Sequence, residues 1–388
     1  MKKKIAILGS TGSIGKNTVN IIQKNQKNFE VKLLSTNKNI KEILNQVKKL
    51  NVKNIIVTDY SSYKKIKLKL KNKSVKIYNN LNVINKIFKK KIDYTMSAIT
   101  GLAGLEPTID KIKFTKVIAI ANKESIICAW NLIKKELNKN NTKFIPVDSE
   151  HFSIWNLLNE KTNTMIKQII ITASGGPFLK IPKNKIDKIN PKYALKHPNW
   201  KMGKKISIDS ATMMNKVFEL IEAQRIFEIE FKKLKILIHP KSYLHAIVQF
   251  ENGITKMLVH DTDMSIPIFN SIYNNNEKKF KTKKINLSIL NNLNLIKPST
   301  KKFPSLKILK HLNNKVTLFE TIIIAANDYL VSEFLSGRIT FNQITDILLK
   351  LLKLREFSKY KHSKPRNLSQ IYSLIELVRL KTNQLYIK

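Results

Sequence analysis

The sequence predicts an α/β chain, with an open parallel sheet at the N-terminus, a central α+β part and a helical C-terminal part. Three observations carry that prediction. Short apolar runs at 2–9, 31–35, 54–58, 75–78 and 117–120 alternate with helical periodicities, the pattern of βα units in a parallel sheet. Further on, the runs 245–250 and 255–260 are separated by Glu251-Asn252-Gly253, a hairpin turn that makes an antiparallel edge suited to dimer contacts. From Leu318 onward, helical patterns follow one another to the end. At 388 residues the chain is too long for one ordinary core, so two or three domains are expected.

The formal net charge of +44, at face value, points to nucleic acid or an anionic membrane surface. The lysines, however, are spread along the whole chain, without the clustered Arg/Lys and interleaved aromatics of a nucleic-acid face. Abundant Lys, Asn and Ile fit a coding bias laid over solvated surfaces, with some attraction for anionic substrates as a side effect. No apolar run reaches the length that spans a bilayer, and MKKKIAILGS reads as a first strand rather than a signal peptide. The single cysteine, Cys128, rules out an intramolecular disulfide and fits a reducing cytoplasm; its apolar neighbours mark it as a small buried hydrophobe. A cytoplasmic protein with neither a specific nucleic-acid partner nor a membrane partner is expected.

After the first strand, GSTGSIG (9–15) leads into a helical pattern with Val19, Ile21 and Ile22 apolar. In the context strand, glycine-rich turn, helix, glycines let the backbone approach a diphosphate seated on the helix N-terminus. The spacing is GxxGxxG rather than GxGxxG. The second strand ends Ser35-Thr36-Asn37-Lys38-Asn39, without the acid that binds the ribose hydroxyls of NAD. A cation there favours a 2′-phosphate, hence NADP, although Lys38 also reads as one more surface lysine. The strand 117–120 ends Ala121-Asn122-Lys123-Glu124-Ser125. Asn122 and Glu124 are candidates for the nicotinamide ribose and Lys123 for a substrate oxygen; a capped helix start is the structural alternative.

The apolar stretch 143–147 ends in Asp148-Ser149-Glu150-His151. In extended backbone Asp148 and Glu150 project from one side and Ser149 from the other. Two acids so placed repel unless a cation lies between them or one takes up a proton. A solvated turn with an N-cap has the same residues. Ser174-Gly175-Gly176 reads either as a backbone nest for a phosphate or as a plain loop. The segment His197-Pro198-Asn199-Trp200-Lys201-Met202-Gly203 fits no helix or strand face; a lid closing over substrate explains it, and an ordered loop is the alternative. A helix is expected from about Ala211, with Asn215, Glu219 and Glu222 on one face. The oxygen-rich candidates are therefore Asp148, Glu150, Glu219 and Glu222. Without clustered Cys or an HxxxH pattern zinc is disfavoured, and carboxylates with water suit Mg²⁺ or Mn²⁺. These parts outline a metal-assisted NADP oxidoreductase acting on a phosphorylated, sugar-like substrate.

The set GSTGSIG (9–15), ANKES (121–125), PVDSEH (146–151), SGGPF (174–178), HPNWKMGKKISIDSATMMNK (197–216), IEA (221–223) and AAND (325–328) resembles the 1-deoxy-D-xylulose 5-phosphate reductoisomerase family nearly end to end. The block from His197 is its most specific part. The resemblance implies a homodimer whose subunit has a Rossmann-like NADPH-binding domain (1–146) and a catalytic, metal- and substrate-binding domain with dimer-forming strands (147–275). A linker (276–310) and a C-terminal helical domain (311–388) follow. The implied reaction is a metal-dependent rearrangement and NADPH reduction of 1-deoxy-D-xylulose 5-phosphate to 2-C-methyl-D-erythritol 4-phosphate, in the non-mevalonate isoprenoid pathway.

By the same resemblance the metal sits on Asp148, Glu150 and Glu219. The substrate is held by Lys123, Ser149, Ser174, His197, Ser210, Asn215 and Lys216. NADPH runs along Thr11, Gly12, Ser13, Ile14, Asn37, Lys38, Asn39, Asn122, Glu124 and Gly203; Glu222 stays outside the ligand set. Three residues depart from the family pattern. Val217 replaces a Gly and is expected to tighten packing beneath Glu219. Asn37 replaces a Gly and is expected to tolerate its positive φ. Tyr243 follows Ser242. A metal-dependent NADP hydroxyacid dehydrogenase would use the same parts without the rearrangement, but leaves the His197 block unexplained.

Overall fold

A computed structural model describes every residue except 72–73, 159–165, 187–188, 201, 274–277 and 388. The chain divides into two compact units. The first comprises 1–125, 132–152 and 264–281. Its sheet has seven strands: β1 (Lys3–Leu8), β2 (Phe29–Thr36), β3 (Asn54–Val57), β4 (Lys76–Tyr78), β5 (Ile92–Ser97), β6 (Thr115–Ile120) and β7 (Lys143–Pro146). All pair in parallel, in the order β4-β3-β2-β1-β5-β6-β7. The continuous apolar run of β1 follows from burial on both faces: Ile5, Ala6, Ile7 and Leu8 are fully buried. The chain builds outward from β1 to β4, then returns to lay β5 on the other side of β1. The strand order therefore reverses between β1 and β5, the place where open α/β sheets bind ligands.

Helix Ser265–Tyr273, expected in the central domain, belongs to this first unit. Lys3 Nζ donates to the Ile272 carbonyl, and the Tyr94 hydroxyl lies 2.7 Å from Ser271 Oγ. These polar contacts reach across more than 170 residues of sequence, so no local pattern announces them.

Lys111, at the end of helix Leu105–Ile112, is fully buried. Its Nζ meets no hydrogen-bond acceptor among the described residues and lies 3.1 Å from the centre of the Phe88 ring. Burial pushes its pKa down to about 6. The unfolded chain binds this proton up to about pH 10, so protein stability should rise with pH between roughly 6 and 10. Lys111→Met should raise the melting temperature at pH 7 by at least about 2 °C and flatten that rise. Thermal melts at pH 7 and pH 9.5 measure both, and equal melting temperatures for the two proteins at pH 7 would contradict the assignment.

The second unit comprises 126–131, 153–263 and 282–388. Its sheet holds β8 (Ile166–Ala173), β9 (Leu234–Ile238), β10 (Leu244–Phe250) and β11 (Thr255–Val259), in the order β11-β10-β8-β9. Strands β8 and β9 are parallel, and β10 runs antiparallel to both β8 and β11. The expected hairpin is present and β11 forms one edge. Helix Met214–Phe227 packs against β8 and β9. Helices Phe319–Leu335, Phe341–Leu351 and Leu368–Ile387 pack on one another. The central strands and the C-terminal helices thus share one unit.

One expectation needs correction here. A helix was expected only from about Ala211, but helix Lys204–Ala211 precedes it. Met213, in the left-handed region at φ 66°, breaks the chain before helix Met214–Phe227. The alternating Ile206 and Ile208 obscure that first helix, whose inner side (Ser207, Ile208, Asp209, Ala211) is buried. The segment 276–310, expected as a linker, is largely exposed and without helix or strand at 278–286 and more regular after it; its boundary at 275/276 lies outside the described residues. It carries helix Leu287–Asn291 and an antiparallel bridge from Ile296 to Ile238. Phe303, Leu306 and Ile308 are buried, so a few apolar residues anchor a stretch whose Asn and Lys content reads as solvated.

Candidate active site

In the first unit, the turn after β1 closes tightly. Gly9 has φ +78°, and a Cβ there would lie 2.6 Å from the Ala98 carbonyl oxygen beyond β5, so only glycine fits. Thr11 Oγ1 sits 2.7 Å from Thr36 Oγ1, tying the turn to the end of β2. Gly12 heads helix Ser13–Lys24, whose first turn holds Ser13 and Ile14 and no acid. Such a helix end, with glycine-shaped backbone before it, fits a diphosphate.

Strand β2 ends at Thr36, and Asn37, Lys38 and Asn39 are exposed. Asn39 Oδ1 accepts from Glu42 N at 3.1 Å and so caps helix Ile40–Leu50. Asn37 Nδ2 donates to Thr58 Oγ1 at 2.8 Å. Asn37 is not among the residues with positive φ, which corrects the expectation for this position: the Gly-to-Asn change is accommodated in ordinary backbone. The absence of an acid and the exposed cation at Lys38 fit a 2′-phosphate.

Asn122 caps helix Lys123–Lys139, its Oδ1 accepting from Ser125 N at 2.7 Å. Its amide donates to the Gly101 carbonyl at 2.7 Å and to that of Ile99, fixing the small-residue loop after β5. The capped helix start is therefore real, and Asn122 also fixes the loop that follows β5. Lys123 and Glu124 follow, both buried. Lys123 Nζ pairs with Asp148 Oδ2 at 2.8 Å.

The acid pair is not on a strand. Strand β7 stops at Pro146, and helix Ser149–Leu158 begins three residues later, with the Asp148 carbonyl accepting from Phe152 N at 2.8 Å. Asp148 and Ser149 are residue types that favour a helix start, and no Gly or Pro follows them, so the chain coils where extension was expected. Ser149 Oγ consequently donates to Glu150 Oε2 at 2.6 Å instead of facing away from it. Burial opposes charge on Asp148, but the adjacent Lys123 ammonium, His151 and a hydrogen bond with Glu150 outweigh it. They hold the Asp148 carboxyl well below the usual carboxylate range.

In the second unit, Ser174, Gly175, Ser210, Met213, Asn215 and Lys216 line a small cleft. Gly175 and Gly176 both have positive φ, and a Cβ on Gly176 would lie 2.7 Å from the Ser210 carbonyl oxygen. That close approach joins the nest to helix Lys204–Ala211. Ser174 Oγ accepts from Gly176 N at 3.1 Å. His197 Nδ1 accepts from Asn199 N at 3.2 Å and Trp200 N at 3.0 Å, so Nε2 carries the proton and donates to Ser174 Oγ at 2.9 Å. Burial and the Lys216 charge push the His197 pKa down to about 4, which keeps this tautomer at neutral pH.

In the His197 segment, Asn199 Nδ2 donates to the Pro240 carbonyl at 2.6 Å and to Ser242 Oγ at 2.9 Å. Lys201, part of the expected lid, lies outside the described residues. Gly203 caps helix Lys204–Ala211 and has nothing within 4 Å of a Cβ position. On helix Met214–Phe227, Asn215 Nδ2 and Lys216 Nζ both donate to the Glu219 carboxylate, as the i, i+4 and i, i+3 spacing requires. Val217 is buried, as expected of a side chain replacing Gly there. Tyr243 is also buried, and its hydroxyl accepts from Asn286 N at 3.3 Å.

Reasoning from sequence did not find the supports beneath this cleft. Asn327 Nδ2 donates to Asp209 Oδ1 at 2.7 Å, and Lys205 pairs with Asp209 and Asp328 at 3.0 Å each. AAND (325–328) was the available signal, since Asn and Asp inside an apolar helix need partners.

A family model described as 1-deoxy-D-xylulose 5-phosphate reductoisomerase matches residues 5–130. Two models of that enzyme's C-terminal domains match residues 144–227 and 260–381. The chain is 58% identical to the enzyme of that name from Pelagibacter ubique (strain HTCC1062) over 385 residues, 99% of each chain. It is 38% identical to the one from Wolbachia pipientis subsp. Culex pipiens (strain wPip), over 99% of this chain and 97% of the relative. Among solved structures, the Zymomonas mobilis enzyme in complex with NADPH superposes with a TM-score of 0.88 at 31% identity, covering 100% of this chain and 99% of that one. A reductoisomerase in complex with NADPH, fosmidomycin and magnesium superposes with a TM-score of 0.89 at 29% identity, covering 99% and 98%. On these matches the chain belongs to the 1-deoxy-D-xylulose 5-phosphate reductoisomerase family.

Proposed function

We propose that the protein converts 1-deoxy-D-xylulose 5-phosphate to 2-C-methyl-D-erythritol 4-phosphate, with NADPH as reductant and a divalent metal ion, in the non-mevalonate isoprenoid pathway. The observation that carries this reading is the cleft of the second unit. There a serine-glycine nest, Ser210, Asn215 and Lys216 form an anion cradle, and the last two also hold the Glu219 carboxylate. A phosphate anchor beside a buried acid is what a rearranging sugar phosphate needs.

The donors fit both groups. Asp148, Glu150 and Glu219 are oxygen donors suited to Mg²⁺ or Mn²⁺, and we assign the ion to them. Lys123 keeps Asp148 ionised for that role. Thr11 to Ile14, Asn37 to Asn39, Asn122, Glu124 and Gly203 are assigned to NADPH. When bound, the ion supplies Lewis acidity toward the substrate's ketone and hydroxyl oxygens, and NADPH supplies the hydride.

The protein's own part is retention and order. A carbon–carbon bond breaks and re-forms, so both fragments must stay bound. Ser174, the Gly175 and Gly176 amides, Ser210, Asn215 and Lys216 hold the phosphate end. His197, neutral at working pH, donates to Ser174 and so orients its hydroxyl. Trp200 and the rest of the loop exclude water. Lys123 and Ser149, bonded to Asp148 and Glu150 respectively, are assigned to substrate oxygens.

NADPH oxidation should therefore require both the deoxyxylulose phosphate and a divalent ion, and the branched-chain phosphate should be the product. Unchanged turnover after chelation would remove the metal from this account. Turnover with no skeletal rearrangement in the product would favour a simple dehydrogenase.

The assignment includes a homodimer joined along β11, an edge strand on which Met257, with Ile254 just before it, is half-exposed. Light scattering should return twice the chain mass. A cytoplasmic location is proposed from the single cysteine; among the described residues no helix is long and apolar enough to cross a membrane.

A further inference from the structure

The second unit also holds two stacked imidazoles to which no role has been assigned. His245 in β10 and His260, just beyond β11, lie with ring centres 3.7 Å apart and 18° between their planes. Both are buried. His245 Nε2 donates to the His260 carbonyl at 3.2 Å, and His260 Nδ1 donates to the Asp261 carbonyl at 2.6 Å. His260 Nε2 has no hydrogen-bond partner among the described residues, so one edge of this ring is held by packing alone. Trp200 meets His245 edge-on, with centres 6.1 Å apart and 68° between planes. The Trp200 amide in turn donates to His197, which donates to Ser174. One row of contacts thus runs from His260 through His245, Trp200 and His197 to the phosphate nest.

The groups facing the pair keep it neutral. Burial, His260, Lys216 and His239 disfavour charge on His245, against one hydrogen bond to the His260 carbonyl. Burial disfavours it on His260, only partly offset by Asp261 and Asp263. Two neutral rings can lie face to face without charge repulsion, each shielding the other's face from water.

We propose that His260 is a positioning residue: its ring backs His245, which holds Trp200 and so sets the His197 loop against Ser174. This deepens the function assigned above and rests on it, since the loop's cargo is taken to be the substrate phosphate.

The test is steady-state kinetics of the full chain with His260→Leu, which fills the space without stacking, and His260→Phe, which stacks. His260→Leu should raise the KM for deoxyxylulose phosphate about three- to tenfold, with kcat and the KM for NADPH within about twofold of wild type. His260→Phe should restore the KM. In a Trp200→Ala background, His260→Leu should add nothing further. An unchanged KM in His260→Leu overturns the proposal. So does an equal rise with and without Trp200, or a properly folded His260→Phe that fails to restore. Tryptophan emission reads the contact without turnover: it should shift to the red in His260→Leu but not in His260→Phe, and identical spectra overturn the proposal. A wild-type protein inactive on the deoxyxylulose phosphate would instead refute the reaction and leave the emission result to decide the contact.

Discussion

Glu219→Gln should lower kcat by about a hundredfold or more, because several kcal/mol of charge stabilisation depend on a fully charged donor set and each 1.36 kcal/mol is tenfold in rate. Glu219 is 1% exposed, and glutamine has its shape, so the fold should survive. The carboxylate accepts from Asn215 and Lys216 at once. Glutamine removes the charge that balances the Lys216 ammonium and takes one charge from the proposed metal donors. NADPH binding is assigned almost wholly to residues of the first unit and should change by no more than about twofold. Metal titration separates the causes: activity that recovers partly at high Mg²⁺ marks lost ion affinity. Glu150→Gln should behave in the same way, with NADPH affinity measured by fluorescence. Near-normal turnover in either variant, at ordinary Mg²⁺, would remove that residue from the metal site.

Why these acids were visible, and their setting was not, is a matter of range. Oxygen donors, a nest and a glycine turn are each written in a few adjacent residues, and short-range chemistry survives whatever the backbone does. The periodicity around Asp148 does not. Read as a strand end, it pointed Ser149 away from Glu150; as a helix start, it hydrogen-bonds the two. Both conformations suit the same residues, and tertiary context decides between them. The helix Lys204–Ala211 is a similar case, since its alternating isoleucines match a strand while burial of one side selects the helix. Long-range polar pairs leave no local trace at all. Tyr94 with Ser271 and Asn327 with Asp209 could be suspected only from polar residues embedded in apolar runs. The seven-stranded sheet was the most legible part, because buried parallel strands are written as unbroken apolar runs. Its shortest and most exposed strand, β4, was correspondingly the faintest.

Arg225→Met should cost about 3–5 kcal/mol of stability, the usual effect of leaving one partner of a buried ion pair alone. Arg225 and Glu320 are 0% and 1% exposed at the side chain, with Nη2 to Oε1 at 2.7 Å. Thr317 Oγ1 donates to the other carboxylate oxygen at 2.6 Å, so Glu320 keeps one neutral partner after the substitution. Even in the intact protein, burial raises the Glu320 pKa despite Arg225. Without Arg225 the folded state holds that proton more tightly than the unfolded state does, so stability falls as pH rises above the ordinary glutamate range. The loss should therefore be largest at neutral and alkaline pH and shrink toward pH 5. Replacing both residues, Arg225→Met with Glu320→Leu, should recover most of it, because a well-packed apolar pair replaces a desolvated ionic one at little net cost. Urea unfolding of the three variants at pH 5 and pH 8 gives the comparison. A pH-independent loss would mean that packing, not the stranded charge, is what Arg225 provides. The helix concerned, Met214–Phe227, carries Asn215, Lys216 and Glu219 in its first turns and Arg225 in its last. The same ion pair that anchors it to helix Phe319–Leu335 therefore fixes the platform from which Asn215, Lys216 and Glu219 project.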